Sequence, residues 1–197
     1  MSREPMGETN GGGLVLVGYR GTGKSTVGRL LAGRSGRPFV DVDDVIVARA
    51  GRTIRAIFED SGEPAFRELE ESVVRDLVAT HPGAVLGTGG GTILREANRR
   101  ALTTFGLVAW LRADADELAR RLEADSATRE TRPSLTSKGA LEEIAEVLAV
   151  RTPFYQEIAQ VVVDTQERGP AEVADLILRH WSPSTVARPA GEPHACS

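Results

Sequence analysis

The chain has 197 residues, 41% of them hydrophobic and 26% charged, which is typical of a single globular domain with a hydrophobic core. The formal net charge of −4 argues against a nucleic-acid-binding protein, which normally presents a basic surface. A membrane span, a signal peptide and a disulfide framework are also not expected, because apolar runs are short and Cys196 is the single cysteine, so we expect a cytoplasmic protein.

The first predicted elements are a buried strand over 13–17 and a helix that runs to about Gly33. The segment between them fits the phosphate-binding pattern G-x-x-x-x-G-K-[ST], whose glycines let backbone N–H groups converge on an anion. Lys24 is expected to reach the β- and γ-phosphates of a nucleotide, and the Ser25 hydroxyl to bind Mg²⁺. The residues expected to bind the nucleoside triphosphate here are Gly21, Thr22, Gly23, Lys24, Ser25 and Thr26.

Three carboxylates come directly after a second, very short strand that begins at Phe39. In a parallel sheet, ligands gather at the carboxyl ends of the strands, so Asp41 and Asp43 should lie on the same side as the phosphate loop. If the strand geometry continues, these two side chains face the same way, and Asp44 caps a helix from Val45 to about Ala50. Helix capping alone is the competing interpretation of the Asp41/Asp43 pair.

A long helical region follows, in which Thr53 is the predicted N-cap of a first helix and Arg67 lies off the apolar face of a second. Arg67 has Glu63 four residues before it and Glu70 three residues after it. An ordinary solvated ion pair explains this spacing as well as a ligand-binding role does.

The third predicted strand, over 84–88, ends in the glycine triplet Gly89, Gly90 and Gly91. A backbone without side chains at the carboxyl end of a strand allows a ligand to lie against the N–H groups. A plain tight turn would use the same residues.

The second half of the chain continues the alternation of strands and helices. A polar stretch over about 123–138 with Arg129 and Arg132 indicates an active-site lid, and Arg151 stands before Pro153, which should kink or end its helix. The remaining predicted elements are a strand over 106–111, a helix capped by Asp114, a strand over 160–164 and a helix from Pro170 to near Trp181.

This order predicts a three-layer α/β/α fold with a five-stranded, mostly parallel sheet. Among phosphate-loop proteins, a compact kinase with a mobile lid fits best, because the chain is too short for most ATPase machines and has no Asn-Lys-x-Asp stretch to bind a guanine base. Residues 13–181 are expected to form one kinase domain, between a disordered leader over 1–12 and a disordered tail over 182–197.

From about Leu14 to Ile177 the sequence resembles the shikimate kinase family, in the order and spacing of several short motifs. They are Gly-Tyr-Arg-Gly-Thr-Gly-Lys-Ser-Thr-Val-Gly at 18–28, Asp-x-Asp at 41–43, Gly-Glu and Phe-Arg at 62–67 with Glu70, the glycine triplet, Arg132-Pro133, and Arg-x-Pro-x-Tyr ending at Tyr155.

The resemblance implies a monomeric enzyme that transfers the γ-phosphoryl group of ATP to the 3-hydroxyl of shikimate with Mg²⁺. It implies that Arg67 and Arg151 grip the shikimate carboxylate beside the glycine triplet, and that Asp43 holds the 3-hydroxyl, as an orienting group or as a general base. The other implied roles are catalysis by Lys24 and Arg132, support of Mg²⁺ through water by Asp41, and adenine contacts by Arg168 and by Arg120 or Arg121.

Two other functions are compatible with the phosphate loop. One is a kinase for another small hydroxy acid such as gluconate, and the other is a nucleotide-binding regulator without catalytic activity. The joint presence of Lys24, Ser25, Asp41 and Asp43 argues against the regulator.

Overall fold

The computed structural model describes residues 12–124 and 139–181, and within these ranges five parallel strands form one sheet in the order β2-β3-β1-β4-β5. The strands are β1 (Gly13–Val17), β2 (Phe39–Asp41), β3 (Val85–Gly87), β4 (Gly106–Arg112) and β5 (Val161–Asp164). The helices are α1 (Lys24–Ser35), α2 (Val42–Ala50), α3 (Ile54–Thr80), α4 (Glu96–Phe105), α5 (Ala115–Ala124), α6 (Ala140–Ile158) and α7 (Pro170–Leu178), with a short 3₁₀ turn at Thr92–Leu94. In the described part of the chain, none of these helices is long and apolar enough to cross a membrane.

The central strand β1 is buried on both faces because helices cover both sides of the sheet, as its uninterrupted apolar run predicts. Leu14 and Leu16 point to one side and pack with residues of α1 and α7. Val15 and Val17 point to the other side and pack with residues of α2, α3, α4 and α6. The predicted three-layer arrangement of helices and parallel sheet is therefore confirmed.

The boundary between β2 and α2 differs from the sequence prediction. The strand ends at Asp41, which is itself the N-cap of α2, and its Oδ1 accepts a hydrogen bond from the backbone N–H of Asp43 at 3.0 Å. Asp44 lies inside the helix, so the prediction that it caps the helix is wrong, as is the continued strand parity of Asp41 and Asp43. An aspartate at the N-cap stabilises a helix by satisfying an orphan N–H group, which favours the earlier helix start.

Of the two outcomes predicted for Pro153, a kink or an end of its helix, the end does not occur, because α6 continues through it to Ile158. Tyr155 and Ile158, beyond the proline, are 0% and 3% exposed, so burial of the last turns offsets the loss of a backbone hydrogen bond. Gly62, with φ 77°, marks the predicted break between the two parts of α3.

Several predictions concern segments outside the described residues. The predicted lid overlaps the end of α5 at Ala124, and its remainder over 125–138, with Arg129 and Arg132, is not described. The same holds for 1–11 and 182–197, so the predicted leader and tail stay predictions.

Strands β1 and β4 come so close at the pair Gly13 and Gly106 that a Cβ atom on Gly106 would collide with the carbonyl oxygen of Gly13. Backbone on both sides leaves little room for adjustment, so we expect Gly106→Ala to lower the free energy of unfolding by about 3 kcal/mol, measured by urea denaturation. The control is Gly33→Ala in α1, where an added methyl group meets nothing within 4 Å and should raise stability by about 0.5–1 kcal/mol. Equal stability of Gly106→Ala and the unmodified protein would contradict this prediction.

Candidate active site

The phosphate loop runs from the end of β1 to the start of α1, and its backbone bends in the left-handed region at Gly21 (φ 82°) and Gly23 (φ 88°). Lys24 Nζ donates hydrogen bonds of 2.8 Å to the carbonyl oxygens of Gly18 and Tyr19, which keeps the ammonium group against the loop. We call the open space beside the loop the donor cleft. Its lining includes the predicted residues Gly21, Gly23, Lys24, Ser25, Thr26, Asp41 and Asp43.

The predicted residue Thr22 is placed differently from the rest of the loop. Its side chain is 2% exposed and donates a 2.8 Å hydrogen bond to the carbonyl oxygen of Tyr19. The Thr22 hydroxyl therefore stabilises the loop from inside and does not line the donor cleft.

Oxygen atoms suited to a magnesium ion meet at the floor of the donor cleft. Ser25 Oγ donates a 2.8 Å hydrogen bond to Oδ2 of Asp41. Mg²⁺ binds one or two protein oxygens and completes its shell with water and phosphate oxygens, so this pair fits a magnesium site that also needs a nucleotide. No group of three His, Cys, Asp or Glu side chains that could hold a metal ion occurs among the described residues.

Of the two arginines considered for adenine, the structure brings only Arg121 to the donor cleft. Arg121 donates to the carbonyl oxygens of Gly21 at 3.2 Å and Thr165 at 2.6 Å, which connects α5 to the loop. Arg120 is 69% exposed and pairs with Glu117. Hydrogen bonds from these two arginines hold the pKa of the Glu117 carboxyl at about 2, so the carboxylate stays ionised.

The other predicted adenine contact, Arg168, does not line the donor cleft. It donates to the carbonyl oxygen of Asp164 at 3.0 Å and forms an ion pair with Glu172 at 3.3 Å. Its role toward adenine stays a prediction.

Next to the donor cleft lies a second hollow, here called the acceptor cavity, where Asp43, Arg67 and Arg151 converge on the glycine triplet. A Cβ atom on Gly89 would lie 2.9 Å from Oδ1 of Asp43, and one on Gly91 only 2.5 Å from Nη2 of Arg67. A Cβ atom on Gly90 would lie 3.3 Å from Nη1 of Arg151. The triplet is therefore the point where three charged side chains meet, which a plain turn does not require.

The sequence left two interpretations of Arg67 open, an ion pair and a ligand-binding residue, and the structure shows features of both. It does form ion pairs, at 3.0 Å with Glu63 and 2.7 Å with Glu70. However, its side chain is only 11% exposed and lies in the wall of the acceptor cavity, so the pairs are not simply solvated. Glu70 is fully buried and also accepts a 2.7 Å hydrogen bond from the Thr92 hydroxyl. The charge of Arg67 is thus compensated within the protein.

Arg151 differs from Arg67 because none of the ion pairs among the described residues involves it. It projects from α6 into the acceptor cavity one turn before Tyr155.

The Tyr155 hydroxyl donates a 2.6 Å hydrogen bond to the carbonyl oxygen of Gly90, and its ring stacks on Trp110 with 5.5 Å between centroids. Burial raises the pKa of Tyr155 above its usual range, so the hydroxyl remains a donor.

Sequence reasoning missed two parts of the acceptor cavity. Phe58 and Phe66 form an apolar wall with ring centroids 4.7 Å apart, and their helical spacing in α3 predicts only a core face. Arg20, inside the phosphate loop, borders both the cavity and the donor cleft and pairs with Glu143 of α6 at 3.4 Å. No sequence pattern connects residues 20 and 143.

A nucleotide loop at the switch point of a parallel sheet, with a charged acceptor cavity beside it, defines a phosphate-loop kinase that acts on small molecules. A family model described as shikimate kinase matches residues 20–182. A shikimate kinase from Rhodopirellula baltica is 41% identical over 175 residues, which cover 89% of this chain and 92% of the relative. The chain belongs to the shikimate kinase family.

Solved structures agree with this assignment. Shikimate kinase from Acinetobacter baumannii in complex with shikimate has a TM-score of 0.80 and 34% identity, covering 87% of this chain and 93% of its own. A gluconokinase from Sinorhizobium meliloti has a TM-score of 0.51 and 18% identity, covering 87% and 92%, which shows a shared fold alone.

The hydrogen bond from Tyr155 to Gly90 should stabilise the glycine triplet measurably. We expect Tyr155→Phe to lower the free energy of unfolding by about 1–3 kcal/mol, because a buried carbonyl group loses its donor. Tyr19→Phe is the matched control, since the Tyr19 hydroxyl is buried without a hydrogen-bond partner among the described residues. Its removal should change stability by less than about 0.5 kcal/mol. Denaturant titration of both variants measures the difference, and equal losses would contradict the prediction.

Proposed function

We propose that this protein is an ATP- and Mg²⁺-dependent shikimate kinase that produces shikimate 3-phosphate and ADP. The observation that carries the proposal is the convergence of Asp43, Arg67 and Arg151 on the glycine triplet, directly beside the phosphate loop. Such a cavity offers cations for a carboxylate and an anion for hydroxyl groups, which matches shikimate, a carboxylate with three hydroxyls. Membership of the family supports the same acceptor.

On the donor side, we propose that the loop N–H groups and Lys24 hold the phosphates of ATP. Lys24 already lies against the loop through its bonds to Gly18 and Tyr19. Ser25 would bind Mg²⁺ directly and Asp41 through a water molecule, and their 2.8 Å contact supports this pairing. When bound, the ion neutralises charge on the β- and γ-phosphate oxygens.

On the acceptor side, we propose that Arg151 provides the main attraction for the carboxylate, because its charge is not compensated by a described carboxylate. Arg67, whose charge is offset by Glu63 and Glu70, would direct its remaining N–H groups at the same ligand and fix its orientation. The N–H of Gly90 is the proposed backbone donor between them.

Phosphoryl transfer would take place where the two halves meet. Asp43, Gly89 and Gly90 border both the donor cleft and the acceptor cavity. Asp43 can therefore accept a hydrogen bond from the 3-hydroxyl and hold its oxygen in line with the γ-phosphorus. Because the transition state of phosphoryl transfer is loose, this orientation is the main contribution that Asp43 must make.

We further propose that residues 13–181 form one kinase domain that acts as a cytoplasmic monomer. The residues proposed for both halves of the site belong to one chain, which supports a monomer as the simplest active form. ATP as the phosphoryl donor supports the cytoplasm as the compartment.

The proposed function is tested by turnover of the purified protein. With ATP, Mg²⁺ and shikimate we expect one ADP for each shikimate 3-phosphate formed, measured by a coupled ADP assay and by mass spectrometry of the product. Gluconate is the control acceptor and should give no phosphorylated product. Turnover with gluconate and none with shikimate would overturn the proposal, and absence of ATP consumption with any acceptor would favour a nucleotide-binding regulator.

The proposed carboxylate clamp predicts a selective kinetic defect. Arg151→Gln should raise the KM for shikimate about 10- to 100-fold, the loss expected for a hydrogen bond between charged groups, and leave the KM for ATP within about twofold. Steady-state kinetics with each substrate varied in turn measures both constants. Equal increases in the two KM values would contradict the clamp.

Unlike Arg151→Gln, the substitution Arg67→Ala is expected to affect both shikimate binding and protein stability. It should raise the KM for shikimate and also lower the melting temperature, because the fully buried Glu70 loses its ion-pair partner. Arg151→Gln, which leaves no described carboxylate unpaired, should keep the melting temperature close to that of the unmodified protein.

A further inference from the structure

Arg20 occupies a position in the site that the proposed roles do not explain. It belongs to the phosphate loop, yet it borders the acceptor cavity together with Arg67 and Arg151. It also borders the donor cleft, where the other cations are Lys24 and Arg121. Among the basic residues that line either space, Arg20 alone lines both in the described part of the chain.

Arg20 and Arg151 both line the acceptor cavity, and both lie near the ring of Tyr19. The guanidinium carbons of Arg20 and Arg151 lie 5.7 Å and 5.8 Å from the ring centroid of Tyr19, so the two cations flank one aromatic side chain. A Cβ atom on Gly90 would lie 3.5 Å from the backbone nitrogen of Arg20 and 3.3 Å from Nη1 of Arg151. The Arg151 guanidinium therefore approaches Gly90, where the proposed carboxylate lies, while Arg20 passes the same glycine with its backbone and lines the cavity.

The hydrogen bonds of Arg20 are incomplete compared with those of Arg67. Arg67 makes hydrogen bonds of 2.7–3.1 Å from all three of its nitrogens. Arg20 reaches Glu143 at 3.4 Å through Nη2, and its Nε is buried without a partner in the described ranges. The contact of Arg20 with Glu143 is long, so its guanidinium gains from a second anion in the cavity that it lines.

We propose that Arg20 is a specificity-determining residue that acts with Arg151 on the anionic end of the acceptor. Glu143 of α6 holds the Arg20 side chain through a 3.4 Å ion pair, and the acceptor carboxylate supplies a second anion for the same guanidinium. The inference rests on the proposed function, because it takes a carboxylate as the group bound beside Gly90. It places one determinant of acceptor choice inside the loop that binds the donor.

The experiment compares shikimate with its methyl ester, a neutral acceptor of similar shape, in the unmodified enzyme and in Arg20→Gln and Arg20→Lys. Arg20→Gln should raise the KM and the calorimetric Kd for shikimate about tenfold, a loss of about 1.4 kcal/mol, and those for the ester less than about twofold. Arg20→Lys, which keeps the charge, should recover most of the affinity for shikimate. The KM for ATP should stay within about twofold in both variants.

Arg34→Gln is the matched control, because Arg34 is paired with Asp175 on the far side of α1 and lines neither space. It should leave every constant unchanged. Equal effects of Arg20→Gln on shikimate and on the ester, or a parallel rise in the KM for ATP, would show general damage to the loop and overturn the inference. If the unmodified enzyme phosphorylates shikimate but Arg20→Gln binds it normally, the inference fails and the proposed function stands. If the unmodified protein neither binds nor phosphorylates shikimate, both fail.

Discussion

The acceptor half of the site depends on the absence of side chains at the carboxyl end of β3. Asp43, Arg67 and Arg151 come from three different helices, and each approaches one glycine of the triplet so closely that a Cβ atom there would touch it. A methyl group on Gly91 would displace Arg67 from its ion pair with Glu70. The three charged side chains can therefore pack this closely only because the backbone of the glycine triplet carries no side chains.

Much of the donor half could be predicted from sequence because its determinants are local. A strand, a glycine-rich loop and a helix follow one another within 13–35, and parallel pairing then brings the residues after β2 and β3 to the same edge. The prediction for Asp41 failed in detail for an equally local reason. Its side chain caps α2, so the helix begins earlier, and the two carboxylates reach the site by helix geometry and not by strand alternation.

The features that sequence reasoning could not predict depend on contacts between distant segments. Spacing along α3 indicates that Arg67 pairs with Glu63 and Glu70, but the burial of Glu70 involves the turn after β3, where the Thr92 hydroxyl donates a hydrogen bond to Glu70. The hydrogen bond between Tyr155 and Gly90 joins residues 65 positions apart, and the ion pair of Arg20 joins residues 123 positions apart. Neither pair has a local pattern, so only the folded chain reveals which polar groups satisfy one another.

The border shared by the donor cleft and the acceptor cavity has a consequence for inhibition. Asp43, Gly89 and Gly90 line both spaces, so a ligand in one lies close to a ligand in the other. A single molecule that joins a nucleotide to a shikimate-like carboxylate therefore needs only a short linker to reach both. Linking two ligands makes the second binding step intramolecular and can raise overall affinity by about 10²- to 10⁴-fold. Such bisubstrate compounds would depend on acceptor-side contacts that unrelated phosphate-loop kinases lack. Their selectivity would therefore come from the acceptor cavity, and their binding affinity from the phosphate loop.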